Sequence, residues 1–184
     1  MSNKLRIIGG KWRSRQIGFD DAPGLRPTPS RVRETLFNWL QTDIINSRCL
    51  DLYAGSGALG FEAASRGAKQ VVQVESNPKA CQKLRENIAL LGAEQISVFA
   101  LDVARYLKQQ AATFELVFID PPFGQNLVAP TCQLLAQNGW LAAYAKIYVE
   151  AERQWELTDM PADWRLLKSK AAGEVRYHLF QRQE

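Results

Sequence analysis

From residue 49 onward, short β-favouring apolar runs alternate with stretches of helical spacing. The runs at 49–52, 71–75, 96–101 and 114–119 each predict a strand. Between them, 61–66 reads as a helix that Gly67 closes, and Asn77 with Pro78 starts a helix that continues over 79–91 to Gly92. Residues 103–107 read as a short helical piece, and 127–137 as a further helix ending before Gly139. A fifth strand is predicted from 140–144 and 147–149, and a closing hairpin from 164–169 and 175–180 around Ala172-Gly173. This alternation predicts an α/β fold with a doubly wound, mostly parallel sheet, to which the hairpin adds an antiparallel edge strand. Ahead of it, 29–41 predicts an amphipathic helix capped by Thr28. Its Val32, Leu36, Trp39 and Leu40 pack on the sheet, with Trp39 as core, which leaves Arg31 and Arg33 near the site.

Residues 49–60 combine a strand, a tight glycine turn and a helix start. Gly55, Gly57 and Gly60 carry the G-x-G-x-x-G spacing of dinucleotide sites, where glycine lets backbone approach a ligand closely. The spacing alone does not choose the ligand, but Asp51 does. A carboxylate four residues before the first glycine sits badly beside a pyrophosphate and well beside a cation. S-adenosylmethionine carries an ammonium and a sulfonium and no phosphate, so Asp51 favours it over a nicotinamide cofactor. Two more acids end strands. Glu75 is placed to accept from both ribose hydroxyls, and Asp102 from the adenine amino group. Each has a plainer role open to it: Glu75 as a solvated loop acid, Asp102 as the N-cap of the helix that begins at Val103.

Asp120-Pro121-Pro122-Phe123 follows the apolar run 114–119 and so falls at a strand's carboxyl end, the edge where open α/β sheets bind ligands. Its chemistry suits methylation of an exocyclic amino group on a planar base. Such a nitrogen is a poor nucleophile, because its lone pair is delocalised into the ring. Asp120 can accept one amino hydrogen and the Pro121 carbonyl another, which pushes the nitrogen towards a tetrahedral shape. Proline fixes φ and carries no N–H, so the turn is stiff, and Phe123 offers a face for stacking. The plainer alternative is a rigid strand-ending turn.

These residues resemble the class I, Rossmann-like S-adenosylmethionine-dependent methyltransferases. More closely, the chain is similar to bacterial enzymes of the RsmD family, which methylate the N2 of one guanine in 16S ribosomal RNA. The resemblance spans nearly the whole chain. It rests on Arg6-Ile7-Ile8-Gly9-Gly10-Lys11-Trp12-Arg13, on Arg26-Pro27-Thr28 with residues 31–40, on residues 51–57, and on Asp120-Pro121-Pro122-Phe123. It implies a seven-stranded sheet, with Asp51, Tyr53, Ala54, Gly55, Ser56 and Gly57 holding the methionine end of the cofactor. It further implies Glu75 at the ribose, Asp102 and Val103 at the adenine, and Asp120, Pro121, Pro122 and Phe123 at the target guanine.

Charge adds a candidate substrate surface. Through residue 33 the chain has eight bases against Asp20 and Asp21, or +6, while the whole chain carries +4, so the remainder carries −2. A basic N-terminal extension over 1–48, a hairpin and a helix, is therefore expected ahead of a catalytic domain over 49–184. Arg6, Lys11, Arg13, Arg15, Arg26, Arg31 and Arg33 are its candidate RNA contacts, with stacking on Trp12. Lys11, Arg13 and Arg15 alternate as they would on one face of a strand; a solvated basic face is the simpler reading.

At 184 residues there is room for one domain, or one domain with an appendage. No span reaches the ~20 apolar residues of a membrane helix, and residues 1–10 lack a signal-peptide core. Cys49, Cys81 and Cys132 are far apart without metal spacing, so buried thiols and no metal are expected. The lone His178 is expected to be structural. A cytoplasmic monomer acting on 16S rRNA, naked or within a partly assembled small ribosomal subunit, is the leading expectation. An adenine-N6 methyltransferase acting on DNA or RNA, a non-catalytic RNA-binding assembly factor and a dehydrogenase are the competitors.

Overall fold

A hairpin opens the chain: β1 (Ser2–Arg6) pairs antiparallel with β2 (Gln16–Asp20), and α1 (Ser30–Trp39) follows. The computed structural model describes residues 2–184, so Met1 of the expected 1–48 segment lies outside the described residues. Then come β3 (Arg48–Leu52), α2 (Ala58–Ser65), β4 (Gln70–Glu75), α3 (Pro78–Leu91), β5 (Ile96–Ala100) and α4 (Val103–Tyr106). The chain closes with β6 (Phe114–Ile119), α5 (Val128–Gln137), β7 (Leu141–Glu152), β8 (Trp164–Ala172) and β9 (Val175–Arg182).

Strands β3 to β9 form one seven-stranded sheet in the order β5-β4-β3-β6-β7-β9-β8. The first five are parallel, and β9 and β8 add the antiparallel pairings at one edge. Strands buried on both faces need continuous apolar runs, which is why β3 and β6 read so clearly in the sequence. From β3 the chain winds out to β5 and returns to β6 on the other side of β3. That reversal opens a crevice at the strands' carboxyl ends, where ligands bind in such sheets.

The two faces of the sheet carry two apolar cores. On one, Ile7, Trp12, Ile17, Val32, Leu36 and Phe37 pack with Phe61 and Leu84 against Cys49, Phe118 and Tyr148. On the other, Val103, Tyr106, Cys132 and Leu135 cover Leu50, Val72 and Val117. Residues from both sides of position 48 thus share one core, so no packing boundary falls there. All three cysteines are buried thiols.

Asn77 starts α3 by accepting from the Lys79 and Ala80 amides, and Gly92 closes it in a left-handed conformation, as the sequence predicts. Three expectations are corrected. Lys11, Arg13 and Arg15 do not alternate along a strand: Gly9-Gly10 break the chain and residues 11–14 form a turn. Thr28 does not cap α1, whose N-cap position is Pro29 with no side-chain bond; its hydroxyl turns to the cavity instead. Trp39 is only partly buried, its ring tilted against Tyr177 with centroids 5.4 Å apart and Lys168 over it, while Phe37 takes the core position. The two pieces predicted for the fifth strand are one strand, β7, bulged near Tyr144, where a step of two along β6 meets a step of five along β7.

Candidate active site

The crevice holds a cavity of about 840 Å³. Its walls are the loop after β3, the ends of β4, β6 and β7, residues 19–29 of the N-terminal segment, and the tip of the β8–β9 hairpin.

Asp51 lies under the glycine loop, 2% exposed, and its Oδ2 accepts from the Gly60 amide at 3.0 Å and from Gln73 Nε2 at 3.3 Å. Gly60 is required by this close approach, since a Cβ there would stand 2.4 Å from Gln73 Nε2 and 2.8 Å from Asp51 Oδ2. Burial, reinforced by the charge of Glu75, pushes the Asp51 carboxyl up to about 7, against the two hydrogen bonds that favour its ionised form. Among the described residues no cation pairs with it. A buried acid without a counter-ion at a ligand cavity fits a cationic group and disfavours a phosphate.

Glu75, at the end of β4, accepts from the Gly55 amide at 2.8 Å and the Asn77 amide at 2.8 Å, so it fastens the glycine loop to the next strand rather than sitting free in solvent. A carboxylate has lone pairs to spare beyond these two bonds. Ala54 is tied down by its amide to the Val74 carbonyl at 3.0 Å, Ser56 Oγ accepts from the Ala58 amide at 3.3 Å, and Gly57 sits at the N-cap of α2. Tyr53 reaches back to Thr131, hydroxyl to hydroxyl at 2.7 Å. Asp102 and Val103 do not line this cavity. Asp102 is exposed and caps α4 by accepting from the Arg105 amide, and Val103 is buried beneath.

Asp120, Pro121, Pro122 and Phe123 all line the cavity, and Phe123 is 48% exposed beside it. Asp120 continues β6 where Ile119 pairs with Val149, so its neighbour across the sheet is Glu150 of β7. Thr28 Oγ1 stands 3.3 Å from Asp120 Oδ2 and 3.3 Å from Glu150 Oε2, and the Tyr148 hydroxyl donates to Glu150 Oε2 at 3.0 Å. Enclosure and then the Glu150 charge push Asp120 well above the usual carboxylate range, while burial raises Glu150 against the bonds from Tyr148 and Thr28. Glu150 and Thr28 are among the cavity residues that sequence reasoning missed, and they are the two that bond to each other beside Asp120. The signal for Glu150 was present: it is an acid closing an apolar strand, as Asp51, Glu75 and Asp120 are.

The candidate RNA contacts divide. Arg6, Lys11, Arg13, Arg15, Arg26 and Arg31 are exposed. Trp12 and Arg33 are not, and their assignment is corrected. The Trp12 ring is 3% exposed because the 9–12 loop is bound to Ser65 at the end of α2, through the Lys11 amide at 2.7 Å and the Trp12 amide at 2.9 Å. Gly10 has φ +78, and a Cβ there would fall 1.9 Å from the Ser65 carbonyl oxygen. Arg33 is 1% exposed and pairs with Glu62 at 3.3 Å. His178 is buried beside Trp155 and Phe180, away from the cavity.

This strand order, with a glycine loop after its first parallel strand and Asp-Pro-Pro-Phe after the neighbouring one, defines the class I S-adenosylmethionine-dependent methyltransferase fold. A family model described as "Conserved hypothetical protein 95" matches residues 5–181. The chain is 47% identical to ribosomal RNA small subunit methyltransferase D of Escherichia coli (strain K12), over 99% of this chain and 92% of that protein. It is 45% identical to the protein of the same name from Haemophilus influenzae, over 97% of this chain and 94% of that one. The solved structure of yhhF from Escherichia coli superposes with a TM-score of 0.93 at 44% identity, covering 98% of this chain and 99% of that chain. The chain belongs to this family, the RsmD family.

Proposed function

We propose that this chain transfers the methyl group of S-adenosylmethionine to the exocyclic N2 amino group of a guanine in 16S rRNA. The observation that carries the proposal is one cavity shared by the Asp51–Glu75 glycine loop and the Asp120-Pro121-Pro122-Phe123 turn. The relatives named small subunit methyltransferase D support the ribosomal RNA substrate. S-adenosylmethionine supplies an electrophilic methyl on a sulfonium. Asp51 and residues 53–57 hold its methionine end and Glu75 its ribose. Asp102, exposed outside the cavity lining, keeps Oδ2 without a partner among the described residues and would receive the adenine amino group if the cofactor reaches beyond the cavity, over the buried Val103.

The target base stacks on Phe123 while Asp120 Oδ1 and the Pro121 carbonyl accept its two amino hydrogens. That grip draws the nitrogen lone pair out of conjugation and aims it at the methyl. Catalysis then rests on positioning and on stabilising the positive charge that grows on nitrogen. The exposed bases of the N-terminal segment bind the RNA backbone. The small basic surface suits a folded substrate, a partly assembled small subunit, recognised by a cytoplasmic monomer.

Asp120→Ala tests the assignment. It is expected to abolish methyl transfer to small subunits while S-adenosylmethionine still binds in calorimetry. Retained transfer, or lost cofactor binding in a folded variant, would contradict the role given to Asp120.

A further inference from the structure

Two carboxyl groups meet one hydroxyl in the wall of the cavity. Thr28 Oγ1 is 3.3 Å from Asp120 Oδ2 and 3.3 Å from Glu150 Oε2. A threonine hydroxyl has one hydrogen to give. It donates to one carboxyl and can only accept from the other, so that other carboxyl carries a proton. With both acids ionised, the second contact would oppose lone pairs in a buried site, and one acid would lose its bond. Tyr148 decides which acid is ionised. Its hydroxyl donates to the same Glu150 Oε2 at 3.0 Å, whereas Thr28 is the side-chain partner of Asp120 among the described residues. The chain of bonds therefore runs from a protonated Asp120 to Thr28, and from Thr28 to an ionised Glu150.

We propose that Glu150 is the terminal base of the reaction, taking the surplus proton of the methylated nitrogen by relay through Asp120 and Thr28. The proposal rests on the methyl-transfer reading above and deepens it. Glu150 is 5% exposed and lines the same cavity, so it is not a stray surface acid. Asp51 on β3 and the Tyr148 hydroxyl on β7 act directly on the pair, and neither is cationic. Arg33 of α1 reaches the Thr28 carbonyl at 3.1 Å but pairs with Glu62, and Arg26, Lys79 and Lys83 stand in the wider cavity wall. With no cation bonded to either carboxyl among the described residues, the two acids do not both ionise cheaply, which keeps one proton in the pair near neutrality.

The step balances. As the N–CH3 bond forms, the sulfonium C–S bond breaks and its electron pair stays on sulfur, leaving nitrogen cationic with one proton too many. That proton passes to Asp120 Oδ1 while the Oδ2 proton moves to Thr28 Oγ1 and the Thr28 proton moves to Glu150 Oε2. Asp120 and Thr28 keep their net charge, but the Asp120 proton now sits on Oδ1 and the Thr28 hydroxyl points to Asp120 Oδ2, so both groups reorient once Glu150 has lost its proton. The nitrogen cation and the Glu150 carboxylate have become two neutral groups, and water later removes the proton from Glu150.

The test is single-turnover methyl transfer to small ribosomal subunits across pH, with wild type as the reference. No transfer by wild type would sink the methyl-transfer reading; transfer that ignores Glu150 would sink only the relay. Glu150→Gln keeps the shape but cannot take a proton. Its rate is expected to fall about a hundredfold with KM for RNA changed no more than about twofold, and the rise of rate with pH that reports Glu150 ionisation should vanish. Thr28→Val should lose rate similarly and Thr28→Ser should recover most of it. Wild-type rate and pH profile in Glu150→Gln, or full rate in Thr28→Val, overturns the relay. If Glu150→Gln does not fold, the two Thr28 variants decide between relay and scaffold, because a merely structural role would not follow the hydroxyl.

Discussion

Asp51 ionises late because it is buried with two neutral donors and no cation. Its carboxyl is raised from the ordinary value to about 7, so the cofactor-free protein holds it largely neutral below that pH. For an acid the sign is fixed: a raised folded value contributes stability at low pH that is lost as pH climbs towards 7. A cationic ligand favours the ionised form. Binding of S-adenosylmethionine should therefore release a proton below pH 7, and its affinity should climb with pH up to about 7 and level off above. Calorimetry in two buffers of different ionisation heat measures that release; an affinity independent of pH would refute the pairing. At this scale the sequence was informative at Asp51, Glu75 and Asp120, acids that close apolar strands and line the cavity, but not at Asp102, which caps α4 outside it. It was misleading at Trp12 and Arg33, because composition shows charge and aromatic content but not which side chain a loop docking on Ser65 or an ion pair with Glu62 draws inward.

That ion pair belongs to a junction between elements. Glu62 on α2 accepts from the Ile8 amide at 3.0 Å, the Gly9 amide at 2.9 Å, Arg33 of α1 at 3.3 Å and Arg66 at 2.9 Å. It therefore holds the N-terminal hairpin and α1 against the helix that follows the glycine loop. Glu62→Ala leaves Arg33 buried without its partner and is expected to cost about 3–5 kcal/mol in urea unfolding; a loss below about 1 kcal/mol would show that the junction is not under load. The elements themselves were largely legible, since period and caps agree, as at Asn77 and Gly92 of α3. The exceptions are tertiary in origin. Thr28 looks like a cap from its place before a helix, and only β6 and β7 lying side by side reveal Asp120 and Glu150 as its partners. The bulge in β7 likewise depends on its neighbour β6.

Across the whole molecule, the N-terminal segment both shares the core of the sheet and walls the cavity, with Leu25 lying over Gly55. A +6 stretch against −2 elsewhere marks it as the basic part of the chain. Its apolar residues, Ile7, Trp12, Ile17 and Leu36, join the core on one face of the sheet, and its exposed cations remain around them. If Lys11 and Arg13 touch phosphate, each alanine variant should weaken kcat/KM for RNA and lower the salt slope by about one, leaving cofactor affinity alone. An unchanged slope would place the RNA elsewhere.

The central claim is tested most directly by incubating wild-type protein with methyl-labelled S-adenosylmethionine and small ribosomal subunits lacking the modification, then digesting the RNA and identifying the labelled nucleoside by mass. Label in N2-methylguanosine of 16S rRNA is the predicted result. Label in N6-methyladenosine, or none in nucleosides while the cofactor binds, would contradict it.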